Sequence, residues 1–402
     1  MHQPAGQPGM YRLTTHPSID EIPAADWNAL AGDDLPHLRH EFLAAMEHHG
    51  SVGERFGWLP RHLVLRDEQD HPVAAAPCWL KYNSYGEFVF DWAWADAYQR
   101  AGQRYYPKLV VASPYTPATG LRILTGEAAD RPARAAALIQ GSLQLAERLG
   151  VSGLHWLFTS ETETGWLKAQ GLMPRLGCQF HWQNRGYGSF DDFLGEFSAE
   201  KRKKVKRERR RVTDAGIRLR RVPGHNVTEA EWRIFHRLYE DTFDKRGGLP
   251  TLSLGFFQEI GRTMGEQVLL VLGEHAGRIV AAAFCLVGAD SLYGRHWGCF
   301  QDYHSLHFEA CYYQGLEHCI EQGLARFEPG AQGEHKVARG FLPTRTWSAH
   351  WIADERFRQP IGAFLSHEID AVEDYITEMM THSPYRAADP NAAAGATAPT
   401  RA

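Results

Sequence analysis

No apolar run in the 402 residues approaches the roughly 18 needed to span a bilayer. The opening MHQPAGQPGMYRL lacks the basic-then-apolar pattern of a secretory leader. The six cysteines, Cys78, Cys178, Cys285, Cys299, Cys311 and Cys319, are scattered with no CxxC pair, against a disulfide scaffold or a zinc ribbon. There is no GxxxxGK[ST] phosphate loop and no GxSxG nucleophile elbow. No long Gly/Ser or Pro linker divides the chain. These absences predict a cytoplasmic protein with reduced thiols and no transmembrane segment.

What is present is ample core material: 44% hydrophobic and 12% aromatic residues, enough to exclude intrinsic disorder. The length suits two or three domains at about 150 residues each. The formal charge of −5 conceals an asymmetry. Between Glu200 and Arg221 stand 12 basic and three acidic residues, a local +9, so the remainder carries −14.

The pattern is mixed α/β and runs through a similar course twice. In the first half, Arg61–Leu65 and Val73–Tyr82 read as neighbouring strands around DEQDHP, with Glu87–Phe90 and Lys108–Ala112 as further strands. Arg131–Leu149 has amphipathic helical spacing and stops at Gly150. A strand Leu154–Thr159, a helix Thr162–Gln170 and a strand Gln179–Gln183 follow. In the second half, Gln267–Gly273, Ile279–Val287 and Ser291–Gly298 form a meander, then come a helix Leu306–Gly323 and a strand Ala325–Glu328. The turn-rich stretch at Asn184–Gly188 marks a boundary, giving domains at 11–184 and 185–386. Residues 1–10 and 387–402, rich in Ala, Pro, Gly and Thr, read as disordered.

Ser189 and Ser198 read as helix caps. From Ser198 to Gly216 only Val205 and Val212 share an apolar face, so a helix at 198–215 has a thin docking seam and a wide cationic surface. That surface is either a solvated face or a contact for a polyanion, relieved of self-repulsion by counterion release. Lys201, Arg202, Lys204, Arg207 and Arg211 are the candidate nucleic-acid contacts, through phosphate rather than bases.

The stretch Tyr293–Trp351 is densest in chemistry. Glu328, Glu334, His335, Lys336 and Arg339 follow a buried strand in a loop loosened by Gly330 and Gly333. A base, a titratable imidazole and a cation for a developing oxyanion make Glu334, His335 and Lys336 candidate catalytic residues, with His296 at a strand end beside Tyr293 and Arg295. Tyr293, Arg295 and Arg339 are candidate substrate contacts. So are Tyr115 and Thr119 in SPYTPATGLR, where the hydroxyls either bind substrate or build turns around Pro114 and Pro117. Four histidines precede tryptophans, at 155, 181, 296 and 350. Strand alternation then places each His away from the core if its Trp is inside. A metal site from His304, His307 and Glu309 has loose spacing, and no metal is expected.

The phrases SPYTPATGLRIL, FHWQNRGYGSFDDFL followed by KRKKVKRERRRV, YGRHWGC, and FEACYYQGLEHCIEQGLARFEPGAQGEHKVARGFLPTRTWSAHW resemble the FemAB-like group of N-acyltransferases, associated with peptidoglycan biosynthesis or recognition. The likeness covers about residues 11–385. It implies an α/β (α+β) fold of two tandem GNAT-like acyltransferase domains with mixed sheets, plus the basic helix. It also implies transfer of an acyl or aminoacyl group to an amine, such as a peptidoglycan precursor, from aminoacyl-tRNA or acyl-CoA as co-substrate, with no further cofactor. Acyl-CoA enzymes of the GNAT type carry an Arg/Gln-x-x-Gly-x-Gly/Ala turn before the central helix, and CFQDYHSLH at Cys299–His307 has no glycine. The alternative is a non-catalytic protein of the same fold that binds a cell-wall precursor or RNA.

Overall fold

The computed structural model describes residues 11–331 and 333–386, so the two terminal segments expected to be disordered lie outside the described residues. Fourteen strands run in order: β1 Arg12–His16, β2 Trp58–Pro60, β3 His62–Arg66, β4 Pro72–Ala76, β5 Cys78–Lys81, β6 Lys108–Val111, β7 Gly153–Thr159, β8 Met173–Gln183, β9 Ile217–Pro223, β10 Val268–His275, β11 Arg278–Val287, β12 Ser291–Cys299, β13 Arg326–Glu328 and β14 Leu342–Ile352. A small sheet has the order β1-β3-β4. The large one has eleven strands, β2-β5-β6-β7-β14-β8-β13-β12-β11-β10-β9.

The two sequence halves exchange their last strands. β8, which closes the first half, pairs with β13 of the second through Arg326↔Gln183 and Phe327↔Trp182. β14, which closes the second half, pairs with β7 of the first, and β14 and β8 run antiparallel over nine residue pairs. One sheet therefore passes through both halves. Its seam is covered by the helix Glu355–Met380, which buries Ile361, Leu365, Ile376 and Met379.

Local chemistry accounts for most elements. The helix Arg131–Leu149 buries Leu138, Ile139, Leu145 and Ala146 and ends on Gly150 in the left-handed region. Ser189 and Ser198 cap their helices through Asp192 N–H and Lys201 N–H. Leu306–Gln322 is helical but contains a π turn at Glu309–Tyr313. Two expectations fail. Val73–Tyr82 is not one strand: Pro77, which has no N–H to donate, separates β4 from β5, and the two enter different sheets. Glu87–Phe90 is a loop because Glu87 turns inward to Lys108, 2.8 Å away, instead of joining a ladder.

The alternation argument for the His-Trp pairs also fails. Trp156 and Trp182 are buried, but so are His155, His181 and His350. Both faces of the seam are covered, so alternation there separates two cores rather than core from solvent. His155 and His350 meet across β7 and β14 with Nδ1 atoms 2.8 Å apart, so one donates and the other accepts. Burial, reinforced by Lys108, pushes His155 down to about 3, and burial together with His155 pushes His350 well below its ordinary value.

The basic helix, Ala199–Asp214, buries Val205 and Val212 as its spacing predicts, and also buries Glu208 between them. Glu208 accepts from Arg339 Nη2 at 2.7 Å and from the Tyr313 hydroxyl. Arg209 joins Glu309 and Glu317, and Lys206 joins Asp191. The helix is thus pinned by ion pairs that the charge count does not display.

Two outcomes follow from these contacts. Glu208→Ala leaves the Arg339 guanidinium buried without its carboxylate and lowers unfolding free energy by about 3 kcal/mol. In denaturant titration, Glu208→Leu combined with Arg339→Met recovers most of that loss. For the histidine pair, folded pKa values lie below the ordinary value of about 6.5, so the unfolded chain takes up more protons on acidification. Stability is complete above about pH 6.5 and declines below it, by up to roughly 1.4 kcal/mol per pH unit per histidine. Urea melts across this range show the slope, and His350→Asn flattens it.

Candidate functional site

β12 and β13 are parallel but pair only through Ser291↔Arg326, Leu292↔Phe327 and Tyr293↔Glu328. Beyond Tyr293 the two strands part, and a cleft of about 1100 Å³ opens between the edge of β12 and the loop that follows β13. The register between β11 and β12 shifts between Phe284 and Cys285, pairing Phe284 with His296 and Cys285 with Gly294. Arg295 is the extra residue of that bulge, and it lines the cleft with His296. Farther along β12, Gly298 lets the helix Glu229–Arg246 approach closely: a Cβ there would lie 2.2 Å from the Leu238 carbonyl oxygen.

The remaining walls come from both halves of the chain. Arg55, Asn83, Tyr85 and Tyr115 come from the first half. Tyr239, Arg246, His307, Tyr312, His335 and Lys336 come from the second. The Tyr239 hydroxyl accepts from the Thr251 and Leu252 N–H groups and so orders the rim loop. Among the described residues that line the cleft there is no Asp or Glu, while Arg55, Arg246, Arg295 and Lys336 contribute four cations.

Burial tunes these groups. Lys336 is buried, donates to the Gly330 carbonyl at 2.6 Å, and is pushed down by desolvation to about 8, so it remains mostly cationic at neutral pH. Desolvation lowers Arg295 to about 10. His296 packs against Tyr239, Phe257 and Phe284; burial, then the Arg295 charge, pushes it well below 6.5. His307 falls to about 4 through burial and the charges of its neighbours. His335 is lowered by burial and then by Arg339 and Lys336, and its Nε2 lies 2.9 Å from the Tyr312 hydroxyl. The cleft therefore holds neutral imidazoles, able to take a proton, beside fixed cations.

The structure brings Lys336, His335, His296, Arg295 and Tyr115 to this cleft and places four other expected residues elsewhere. Glu334 is exposed and accepts from the Tyr375 hydroxyl at 2.9 Å, outside the cleft. Arg339 is buried on Glu208 and the His335 carbonyl, with its guanidinium 3.3 Å from the Phe308 ring centre. Tyr293 is buried against His37 and donates to the Asp34 carbonyl at 3.4 Å. Thr119 has a buried hydroxyl, and its N–H donates to Glu328 at 3.2 Å. Each follows from a neighbour distant in sequence. Glu328 itself is buried beside Arg326, and burial pushes it up to about 7. His304, His307 and Glu309 do not converge, since Glu309 turns to Arg209 and His304 to Arg211.

Sequence reasoning missed Arg55, Tyr239 and Arg246. Arg246 precedes the helix stop Gly247 and was legible as a last-turn cation, but its approach to the cleft was not.

The chain matches the FemAB-like family, described as peptidoglycan biosynthesis/recognition, over residues 18–387. No curated protein matches the chain. Among solved structures, FemX superposes with a TM-score of 0.53 at 12% identity, covering 87% of this chain and 100% of FemX. The C-terminal domain of a protein named as a lysylphosphatidylglycerol synthetase from Agrobacterium fabrum gives 0.51 at 10% identity, over 87% and 97% of the two chains. A conserved protein of unknown function from Bacteroides thetaiotaomicron VPI-5482 gives 0.51 at 9%, over 85% and 100%. With the match spanning nearly its whole length, the chain belongs to the FemAB-like family.

Proposed function

We propose that the protein is an N-acyltransferase that moves an acyl or aminoacyl group from an activated ester or thioester to an amine, in the cleft opened by the parting of β12 and β13. The observation that carries this reading is the cleft's composition: four cations, with Lys336 buried and Arg295 half-buried, and neutral imidazoles, with no lining carboxylate among the described residues. Family membership and the likeness to FemX support it. An amine attacks a carbonyl carbon, and the new oxyanion needs positive charge and N–H donors. Lys336 and the unpaired edge of β12 beyond Tyr293 face that position. His296 or His335, both unprotonated near neutrality, accept the proton the amine sheds. Arg295 holds the substrate, and Tyr115, whose hydroxyl donates to the Ser51 carbonyl at 2.9 Å, supplies its ring to the wall. The rest is positioning, which requires no cofactor beyond the acyl donor.

Aminoacyl-tRNA is the donor we favour over acyl-CoA. None of residues 299–305, the segment where a pyrophosphate turn would stand, lines the cleft. On the basic helix Lys203, Lys204, Arg207 and Arg210 are exposed, and none forms an ion pair with another described residue. The same helix holds Arg339, whose Nη1 donates to the carbonyl of cleft-lining His335. The acceptor is an amine, with a peptidoglycan precursor favoured by the family description.

Two measurements test this. In a transfer assay with radiolabelled aminoacyl-tRNA, Lys336→Ala lowers kcat/KM by roughly 10²–10³, the usual cost of one oxyanion donor. His335→Ala and His296→Ala then identify which imidazole takes the proton, and unchanged rates in all three variants reject the site. Converting Lys203, Lys204, Arg207 and Arg210 to Gln reduces the logarithmic salt slope of tRNA binding by about 3. Acetyl-CoA binding that ignores this change, without tRNA binding, returns the donor to acyl-CoA.

A further inference from the structure

The segment between β5 and the helix Trp92–Arg100 displays aromatic rings to solvent. Tyr82 is 51% exposed, Tyr85 69%, Phe88 40%, Phe90 54% and Trp92 41%, half of the large apolar side chains exposed among the described residues. Isolated exposed apolar residues need no explanation, but five within eleven positions form a patch.

The display is built, not incidental. The polar residues of the same segment turn inward. Glu87 and Asp91 are buried on Lys108, which also donates to Ser84 Oγ at 2.9 Å. Lys81 donates to Asn83 Oδ1 and to the Tyr85 carbonyl while lying over the Trp58 ring, 3.8 Å from its centre. Gly86, at φ 78°, sits where a Cβ would meet the Tyr115 ring at 2.4 Å. Phe88, without a glycine's freedom, is held at φ 59°. Arg175 donates to the Phe90 carbonyl at 2.8 Å while pairing with Glu368. A clamped backbone thus points its carboxylates at buried lysines and its rings outward.

Tyr85 and Phe88 of this loop also line the cleft, with Leu249, 57% exposed, on the rim loop from the second half. Arg55 and Arg246 stand on the same lining. The mouth therefore carries exposed aromatic and apolar side chains together with two exposed cations.

We infer that this aromatic loop docks the protein on an anionic lipid surface and sets the cleft mouth against the headgroup layer. Tyr, Trp and Phe rings sit favourably at the level of the headgroups. The loop's own carboxylates are withdrawn, so the charge it presents with the rim is positive and complementary to anionic lipid. The inference is independent of the chemistry in the cleft. It holds for either acyl donor and is read by binding alone, so its failure leaves the transferase reading standing.

The test is co-sedimentation of the full chain with phosphatidylcholine vesicles, with and without phosphatidylglycerol. The wild type partitions to the vesicles that contain phosphatidylglycerol. Phe90→Ser combined with Trp92→Ser, two exposed residues outside the cleft lining, lowers that partitioning by at least about tenfold and does so at high salt too, where the basic helix is screened. Circular dichroism and thermal melts confirm that the variant folds. Failure of the wild type to bind overturns the proposal. So does a double variant that binds equally well, or loss of binding only when the basic helix is neutralised. A dimer that becomes monomeric in the double variant also overturns it, because a second copy of the chain then covers the patch.

Discussion

β14 lies between β7 and β8, and the rest of the architecture depends on that placement. Without it the sheet breaks into β2-β5-β6-β7 and β8-β13-β12-β11-β10-β9, with β7 and β8 as unpaired edges. With it, eleven strands become one sheet, and the cleft inherits walls from both halves. The same insertion explains the buried histidine pair, since His350 can reach His155 only if β14 runs beside β7. It also fixes the loop that carries His335 and Lys336, because that loop is stretched between β13 and β14, two neighbours of β8.

Charge is organised at two levels in an otherwise acidic chain. Among the described residues lining the cleft, cations are held without carboxylates to neutralise them, so their field is directed at whatever enters. On the basic helix, pairing is selective: Glu208, Glu309 and Glu317 secure the side that docks, and among the described residues the exposed Lys203, Lys204, Arg207 and Arg210 form no ion pair. Arg339 joins the two levels through Glu208 on one side and the His335 carbonyl on the other. Its contribution to the site is positional, since its guanidinium is spent on these contacts.

Elements with local signals were legible in the sequence. The helix Arg131–Leu149 was bounded by its own periodicity and by Gly150, and the basic helix by Ser198 and its valine seam. Elements whose form depends on a distant partner were not. β8 begins six residues before its apolar pattern suggests, because β14 extends it. Glu87–Phe90 has a strand's composition, yet Lys108 draws Glu87 out of any ladder. At the site, the stretch from His335 to Lys336 and the pair Arg295–His296 could be chosen from residue types next to a strand end. Glu334 and Arg339, equally suitable by type, could not be excluded without Tyr375 and Glu208 beside them.

The sequence by itself determined the α/β class, the helix Arg131–Leu149, the meander of β10, β11 and β12, the helix caps and the one cationic helix. These follow from spacing and capping within a few residues, where chain connectivity already fixes the neighbours. Only the tertiary structure decided which strands exchange, which charges are neutralised and which side chains share the cleft. Those outcomes rest on contacts between residues tens to hundreds of positions apart, and on burial. Glu208 turns Arg339 into a strut, while Lys336, three residues earlier and equally buried, lines the cleft.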